Sequence, residues 1–293
     1  ILTKCLYRSF EGLCIGEWKG HTGGVYSLVV LPNGDLASGS YDHTIRLWSS
    51  DAGECRQVLR GHISSVESLA VLANGDLVSG SEDNTIRVWR SNTGECKQVL
   101  NGHTDGVHSL VVLSNGNLAS GADDDTIRFW SSDTGECELV LKTPCTALAM
   151  LPNGYLASGS HHGTIQFWDI VNGVCNNTVR VSTKWYITSL KVVDKKRFAC
   201  SLSDGLIGMH NMETGYSELD LDGHKDKVNS MAMLSNGDLV SCSDDITIRV
   251  WNIDTGKCKQ VLKGHYDSVS SLGALDDGSV VSASCDGTAK VWI

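Results

Sequence analysis

Histidine, serine and aspartate recur together along this chain, and these residue types can supply the base, nucleophile and orienting acid of an acyl-transfer site. The first set is His21, Ser38 and Asp42, and sets with the same spacing follow further along the chain. A catalytic serine is needed only once, beside an oxyanion hole. The repetition therefore predicts a structural role, and no unique cluster of acid, base and nucleophile stands elsewhere in the sequence.

The sets belong to a repeat with a period of about 41 residues. The stretch from Gly20 to Trp48, GHTGGVYSLVVLPNGDLASGSYDHTIRLW, returns at Gly61 and again at Gly102. Seven copies follow one another, and they end at Trp48, Trp89, Trp130, Trp168, His210, Trp251 and Trp292. A period of this length indicates a solenoid, a propeller or another repeat array.

Each copy is predicted to contain four short strands. In the first copy these are residues 25–31, 36–40, 44–48 and 55–59, rich in Val, Ile and Leu and separated by turns that contain Gly, Asn and Asp. No segment shows sustained helical periodicity. A four-stranded antiparallel unit cannot bury both faces alone, so its neighbours must cover it, and closure into a ring achieves this.

The repeats resemble the WD-repeat family of β-propellers. The resemblance rests on the Gly-His pairs and on the run Ser-x-Ser-x-Asp-x-Thr-Ile-Arg-x-Trp, and it covers nearly the whole chain. It implies an all-β fold, a seven-bladed propeller of four-stranded antiparallel blades. The family usually continues the terminal tryptophan with aspartate, and here only Trp168-Asp169 does so.

The resemblance also implies that five blades contain a hydrogen-bonded tetrad of histidine, serine, aspartate and tryptophan. In such a tetrad the serine accepts the indole N–H and donates to histidine, whose other nitrogen is oriented by aspartate. The implied tetrads are His21, Ser38, Asp42 and Trp48; His62, Ser79, Asp83 and Trp89; His103, Ser120, Asp124 and Trp130; His224, Ser241, Asp245 and Trp251; and His265, Ser282, Asp286 and Trp292.

We expect one propeller over residues 1–293, with blades at about 20–60, 61–101, 102–141, 142–179, 180–222, 223–263 and 264–293. The seventh copy supplies only three strands, whereas residues 13–18 match the fourth strand of the first copy. Residues 11–19 should therefore complete the last blade and close the ring. Residues 1–10 are interpreted as a lead-in from an upstream domain or as padding.

Blades four and five depart from the pattern. In blade four, Lys142-Thr143-Pro144 replaces Gly-His and His162 replaces the turn aspartate. In blade five, Ser182-Thr183 replaces Gly-His and His210 replaces the terminal tryptophan. We expect these two blades to have the lowest local stability.

Charge and cysteine content restrict the classes of partner and compartment. Lys and Arg total 24 against 34 Asp and Glu, and a net charge of −10 argues against non-specific nucleic-acid binding. No apolar run approaches the length of about 20 residues needed to span a membrane. The eleven cysteines contain no Cys-x-x-Cys, and six of them recur in phase, which indicates free thiols in a reducing compartment, the cytoplasm or the nucleus. No cofactor and no metal site are expected, because adjacent His161 and His162 point apart.

Basic residues form two sets in the sequence. One recurs in the third strand, where the stem should pack between blades and the charge should lie near the tryptophan or an acidic group; a phosphate- or inositol-binding channel is the alternative. This set comprises Arg46, Arg87, Arg128, Arg249 and Lys290. The other set, Lys191, Lys195, Lys196 and Arg197, is interpreted as a solvated turn, with an acidic partner or a phosphoinositide as the alternative.

Binding is expected at the end of the ring that carries the Gly-His loops and the Asp turns, here called the His/Asp rim, because loops on a rigid scaffold carry function. Residues that differ between blades at equivalent rim positions are the candidates, together with two aromatics of the blade-five loop. The partner-binding candidates are Tyr26, Tyr41, Glu67, Glu82, His108, Asp123, Trp185, Tyr186, Asn229 and Asp244.

The predicted function is that of a non-catalytic protein-interaction scaffold, a monomeric propeller within a larger chain or complex. The partner is expected to be a peptide or protein whose Lys or Arg faces Glu67, Glu82 and Asp123; alternatively, Trp185 packs into its irregular blade and the acids are merely solvated. The L-x-NGDL-x-SGS style also resembles the ubiquitin-binding propeller of the phospholipase-A2-activating-protein family, so ubiquitin binding or substrate reception in a ubiquitin ligase stays open. An enzyme with a site in the central channel is the alternative from another class.

Overall fold

The computed structural model describes residues 12–50 and 52–293, and the regular structure within them is seven antiparallel sheets of four strands each. The prediction of an all-β seven-bladed propeller is confirmed. The predicted lead-in, residues 1–10, lies outside the described residues. Within the described part of the chain, no helix is long and apolar enough to cross a membrane.

The strands follow the repeat, and each blade uses four of them from the channel outward. The closing strand and the first three blades comprise β1 Cys14–Lys19; β2 Val25–Val30, β3 Leu36–Ser40, β4 Thr44–Trp48 and β5 Cys55–Arg60; β6 Val66–Val71, β7 Leu77–Ser81, β8 Ile86–Trp89 and β9 Cys96–Leu100; β10 Val107–Val112, β11 Leu118–Ala122, β12 Thr126–Trp130 and β13 Cys137–Lys142. The other four blades comprise β14 Ala147–Met150, β15 Tyr155–Gly159, β16 Thr164–Asp169 and β17 Val174–Arg180; β18 Ile187–Val192, β19 Arg197–Leu202, β20 Ile207–Asn211 and β21 Ser217–Leu221; β22 Val228–Met233, β23 Leu239–Ser243, β24 Thr247–Trp251 and β25 Cys258–Lys263; and β26 Val269–Ala274, β27 Val280–Ser284 and β28 Thr288–Trp292.

The core lies between the blades rather than inside any one of them. Each second strand is buried or nearly so along its whole length, and β3 (LASGS) is buried at all five positions. The small residues of this strand allow close packing: a Cβ on Gly39 would lie 2.6 Å from the Val66 side chain of the next blade. Stacking therefore covers both faces of every sheet, as the repeat requires.

The N-terminal strand closes the ring, as predicted. β1 pairs antiparallel with β28, so Glu17 stands opposite Lys290, and the Lys290 Nζ donates a 2.7 Å hydrogen bond to Glu17 Oε1. Trp18 stacks on Trp48 of blade one, with ring centroids 6.1 Å apart. The last blade is thus built from both ends of the described chain.

Two strand ends differ from the prediction by one residue. The first strand of blade one stops at Val30, because the Leu31 N–H donates to the Asp35 carbonyl and the Leu31 carbonyl accepts from Gly34, which forms the turn. The fourth strand continues to Arg60, which pairs with Thr44.

The residue after each turn aspartate, and after His162 at the same position of blade four, adopts a left-handed backbone conformation. Blades four, five and seven place glycine there, whereas blade six places Ile246 there, with φ of 67°. A β-branched residue in this region costs about 1–3 kcal/mol. We expect Ile246→Gly to raise the free energy of unfolding by about 1 kcal/mol, measured by urea denaturation. The matched change Gly287→Ala in blade seven should lower it, and a destabilised Ile246→Gly protein would contradict the assignment of strain.

Candidate functional site

The recurring histidine, serine, aspartate and tryptophan side chains form one hydrogen-bonded chain in each of five blades. In blade one, Trp48 Nε1 donates to Ser38 Oγ (2.7 Å), Ser38 Oγ lies 2.7 Å from His21 Nε2, and His21 Nδ1 lies 2.8 Å from Asp42 Oδ2. Blades two, three, six and seven repeat these contacts within about 0.1 Å. Each hydrogen-bonded network runs from the third strand to the rim, so it links the Gly-His loop to the Asp turn.

A threonine that the sequence reasoning overlooked completes each of these networks. Thr44 Oγ1 donates to Asp42 Oδ1 at 2.6 Å, and the backbone N–H of Thr22 donates to Asp42 Oδ2 at 3.0 Å. The repeated Asp-x-Thr of the sequence was the available signal for this contact. The same threonine recurs as Thr85, Thr126, Thr247 and Thr288.

The geometry of serine, histidine and aspartate resembles that of a hydrolase triad, but its serine has no access to a substrate. Ser38 is fully buried, and so are Ser79, Ser120, Ser241 and Ser282. Each oxygen already accepts an indole N–H, and its own hydrogen is used toward histidine. These five sets can hold the rim loops in place, and they offer no exposed nucleophile.

Blades four and five replace the tetrad with other contacts. In blade four, Trp168 Nε1 still donates to Ser158 Oγ at 2.8 Å, and Thr143 Oγ1 donates to Gln166 instead of binding a turn aspartate. In blade five, His210 stacks on Phe198 with centroids 5.3 Å apart, and its Nδ1 lies 2.9 Å from the Gly215 carbonyl oxygen. An apolar cluster shared by the two blades thus takes the place of the missing hydrogen bonds.

The repeated basic residues of the third strand stay at the outer part of the blades. Arg46 points its Nη1 at the Cys55 sulfur, 3.6 Å away, and Arg87, Arg128 and Arg249 do the same toward the fourth-strand cysteine at 3.8–4.0 Å. Lys290 instead bonds Glu17.

The predicted binding residues of the first strands lie at the mouth of the central channel. Tyr26, Glu67 and Asn229 each directly precede a serine that lines the channel, namely Ser27, Ser68 and Ser230. Tyr26 and Tyr41 meet edge to face with ring centroids 6.3 Å apart, and Tyr41 is 60% exposed. We call this region the channel mouth.

Three carboxylates at one side of the channel mouth lie close enough for their charges to interact. Burial raises the pKa of Glu67, and the neighbouring charges of Glu82 and Asp123 raise it further. Burial also raises the pKa of Glu82, together with the charges of Asp123 and Asp105. Among the described residues, Lys227 is the one cation whose charge opposes the shift of Glu67. The mouth therefore holds more negative charge than its own side chains neutralise.

A cavity of about 280 Å³ adjoins these carboxylates. His108, Asp123 and Tyr186 line it together with Lys227, and His108 Nε2 lies 3.5 Å from Asp123 Oδ1. At that distance the imidazole nitrogen makes no hydrogen bond within the described structure. The cavity thus presents the Asp123 carboxylate, whereas His108 Nε2 is buried beside it without a hydrogen-bond partner.

Three of the predicted binding residues have contacts of their own inside the protein. Asn229 Nδ2 donates to Asp244 Oδ1 (2.8 Å) and to the Val269 carbonyl (2.9 Å), which links blades six and seven. Trp185 is half-buried against the apolar cluster of blades four and five, and the Lys184 ammonium lies 4.3 Å from its ring centroid. Tyr186, next in the chain, keeps 36% of its surface exposed.

These features define the class of protein, a seven-bladed propeller whose loops are fixed by buried tetrads. The family description "WD domain, G-beta repeat" matches residues 12–49, 53–90, 94–131, 135–169, 215–252 and 256–292. The chain belongs to the WD40 repeat family. The longest unmatched stretch, 170–214, includes most of blade five, where both the Gly-His pair and the terminal tryptophan are replaced.

Proteins similar to this chain include one of known structure and one matched over a short segment. The crystal structure of the WD40 beta propeller domain of Doa1 superposes with a TM-score of 0.88 at 27% identity, over 97% of each chain. A segment of 51 residues is 41% identical to eukaryotic translation initiation factor 3 subunit I from Aspergillus niger. That segment spans 17% of this chain and 15% of the initiation factor subunit, so the similarity is limited to a length of about one repeat.

Proposed function

We propose that this protein is a non-catalytic interaction module that binds a peptide segment of a protein partner at the channel mouth. The carrying observation is the cluster of Glu67, Glu82 and Asp123, whose negative charge is only partly offset by Lys227. A lysine or arginine of the partner would enter this cluster. Membership of the WD40 family, whose propellers commonly mediate protein–protein contacts, supports the proposal.

The energetics favour a cation as the anchor. Glu67 is held among other carboxylates in a partly desolvated position, where repulsion raises the free energy of its ionised form. A bound ammonium or guanidinium would remove that repulsion and gain charge-assisted hydrogen bonds. Tyr26, Tyr41 and Tyr186 would supply the apolar contacts beside the anchor, since aromatic side chains dominate the affinity of such interfaces.

The five tetrads support a scaffold role. They hold the loops that border the mouth, and a preorganised surface loses less conformational entropy on binding. Because their serines are buried and engaged, they contribute rigidity and no reaction.

The proposal is tested by selecting binders from a random peptide library on the immobilised protein. We expect enrichment of peptides with Lys or Arg at one position, and Glu67→Gln/Glu82→Gln should weaken the best binder about tenfold or more. The control is Glu136→Gln/Glu213→Gln, which removes two exposed carboxylates from turns of the opposite rim. Equal loss in both double variants, or no preference for basic peptides, would refute the acidic anchor.

Ubiquitin is a second probe, because the L-x-NGDL-x-SGS pattern resembles that of a ubiquitin-binding propeller. Binding of ubiquitin that is lost in Glu67→Gln/Glu82→Gln would name the class of partner. Binding that both double variants retain would place a ubiquitin site away from the channel mouth.

A further inference from the structure

The central channel contains a second polar site, separate from the channel mouth. Residues of six first strands line a cavity of about 640 Å³, and Lys191 is the only charged residue among them. The sequence predicts that Lys191 belongs to the hairpin turn of blade five. The structure instead places it inside β18, one residue before the strand ends, whereas Lys195 and Lys196 are exposed in the turn.

The charge of Lys191 has no partner in the described structure. No carboxylate lines the cavity, and none of the five repeated third-strand basic residues reaches it. Burial lowers the pKa of Lys191, and no opposing charge acts on it. An ammonium in such a place lacks the compensation that buried charges in proteins ordinarily have.

The same wall offers hydroxyl donors. Ser27 Oγ accepts the backbone N–H of Leu69 and Ser271 Oγ accepts that of Leu28, each at 3.0 Å. A hydroxyl that accepts through its oxygen still has a hydrogen to donate. Ser68, Ser189 and Ser230 line the cavity as well, so its polar side chains are one cation and a set of hydroxyls.

We propose that the central channel binds a small oxyanion, a phosphate or carboxylate group, with Lys191 as its charged contact and channel serines as hydrogen-bond donors. A lining that holds one cation, serine hydroxyls and no carboxylate favours an anion over a cation, and the volume admits such an anion together with waters. This site does not depend on the peptide site proposed above, because the two use different residues and opposite charge.

The variant Lys191→Met is expected to fold like the wild type. The equivalent first-strand positions in blades one to three are Val29, Ala70 and Val111, so an apolar side chain fits this wall. The matched control is Lys195→Met, which removes the same charge from the exposed turn.

The probes are inorganic phosphate and succinate, each compared with chloride at constant ionic strength. Binding is followed by the melting temperature and, for phosphate, by the ³¹P line width. We expect at least one oxyanion to bind the wild type and Lys195→Met equally, and Lys191→Met to bind it about tenfold more weakly. The probe that binds shows whether the site takes a phosphate group or a carboxylate group.

Two results would overturn the site. One is the absence of an oxyanion-specific response in the wild type with both probes. The other is an oxyanion response that Lys191→Met retains in full. If Lys195→Met lost that response, the anion would bind at the exposed lysines.

Discussion

Ser241→Ala should lower the free energy of unfolding by about 3 kcal/mol, although it removes a single oxygen atom. Ser241 Oγ accepts from Trp251 Nε1 at 2.8 Å and lies 2.7 Å from His224 Nε2. Trp251 is fully buried and His224 is 5% exposed. The substitution leaves two buried polar groups without partners, at about 1–3 kcal/mol each.

Urea denaturation followed by circular dichroism measures this effect. Two controls distinguish the loss of the hydrogen-bond network from the general effect of replacing a serine by alanine. Ser50→Ala, in an exposed turn, should change stability by less than about 0.5 kcal/mol. Ser158→Ala in blade four should have an intermediate effect, because Ser158 binds Trp168 without a histidine. A loss below about 1 kcal/mol for Ser241→Ala would show that the tetrad contributes little to stability.

Acid should destabilise the protein in two stages. Burial lowers the pKa of His21, His103 and His265, so the unfolded chain binds protons first as the pH falls. The stability contributed by the neutral histidines is complete above about pH 6.5, the unfolded value, and declines as the pH falls toward the folded pKa.

The second stage belongs to the turn aspartates. Burial alone would raise the pKa of Asp42, but hydrogen bonds from Thr44, from the Thr22 N–H and from His21 lower it to about 2, and Asp286 reaches about 2 in the same way. Their contribution is complete above the unfolded pKa and is lost as the pH falls from about 4 toward 2; each carboxylate accounts for about 2 kcal/mol.

Urea midpoints between pH 8 and pH 3 test both stages. We expect a plateau near neutrality, a decline that begins near pH 6.5 and a steeper decline below pH 4. Asp42→Asn should flatten the lower stage while weakening the protein at pH 7. Stability that rises on acidification between pH 7 and pH 5 would contradict the assignment of neutral, buried histidines.

The ring could be predicted from the sequence because one unit is repeated. A strand-and-turn pattern that fixes blade one also fixes its copies, and the unpaired third strand at Trp292 required a partner, which residues 14–19 supply. Equivalent positions of successive blades are neighbours around the channel. Glu82 of blade two and Asp123 of blade three, which hold equivalent turn positions, can therefore be grouped from the sequence.

What the repeat does not encode is where non-repeating side chains point. The basic run predicts a turn that includes Lys191, yet β18 continues through this residue and Lys191 lines the channel. Lys227 lies in a loop of blade six, so no repeat position links it to Glu67. Trp185 belongs to a loop without the Gly-His pair, and its half-buried packing depends on the apolar cluster of two irregular blades.

A double-mutant cycle between the protein and a selected basic peptide tests the proposed binding site most directly. The peptide lysine or arginine is replaced by methionine and Glu67 by glutamine, with Glu136→Gln as the control pair, and the four affinities are measured by calorimetry. We predict a coupling free energy of about 1.5 kcal/mol or more for Glu67 and none for Glu136. Additive losses for the Glu67 pair would show that the cation does not bind at the channel mouth.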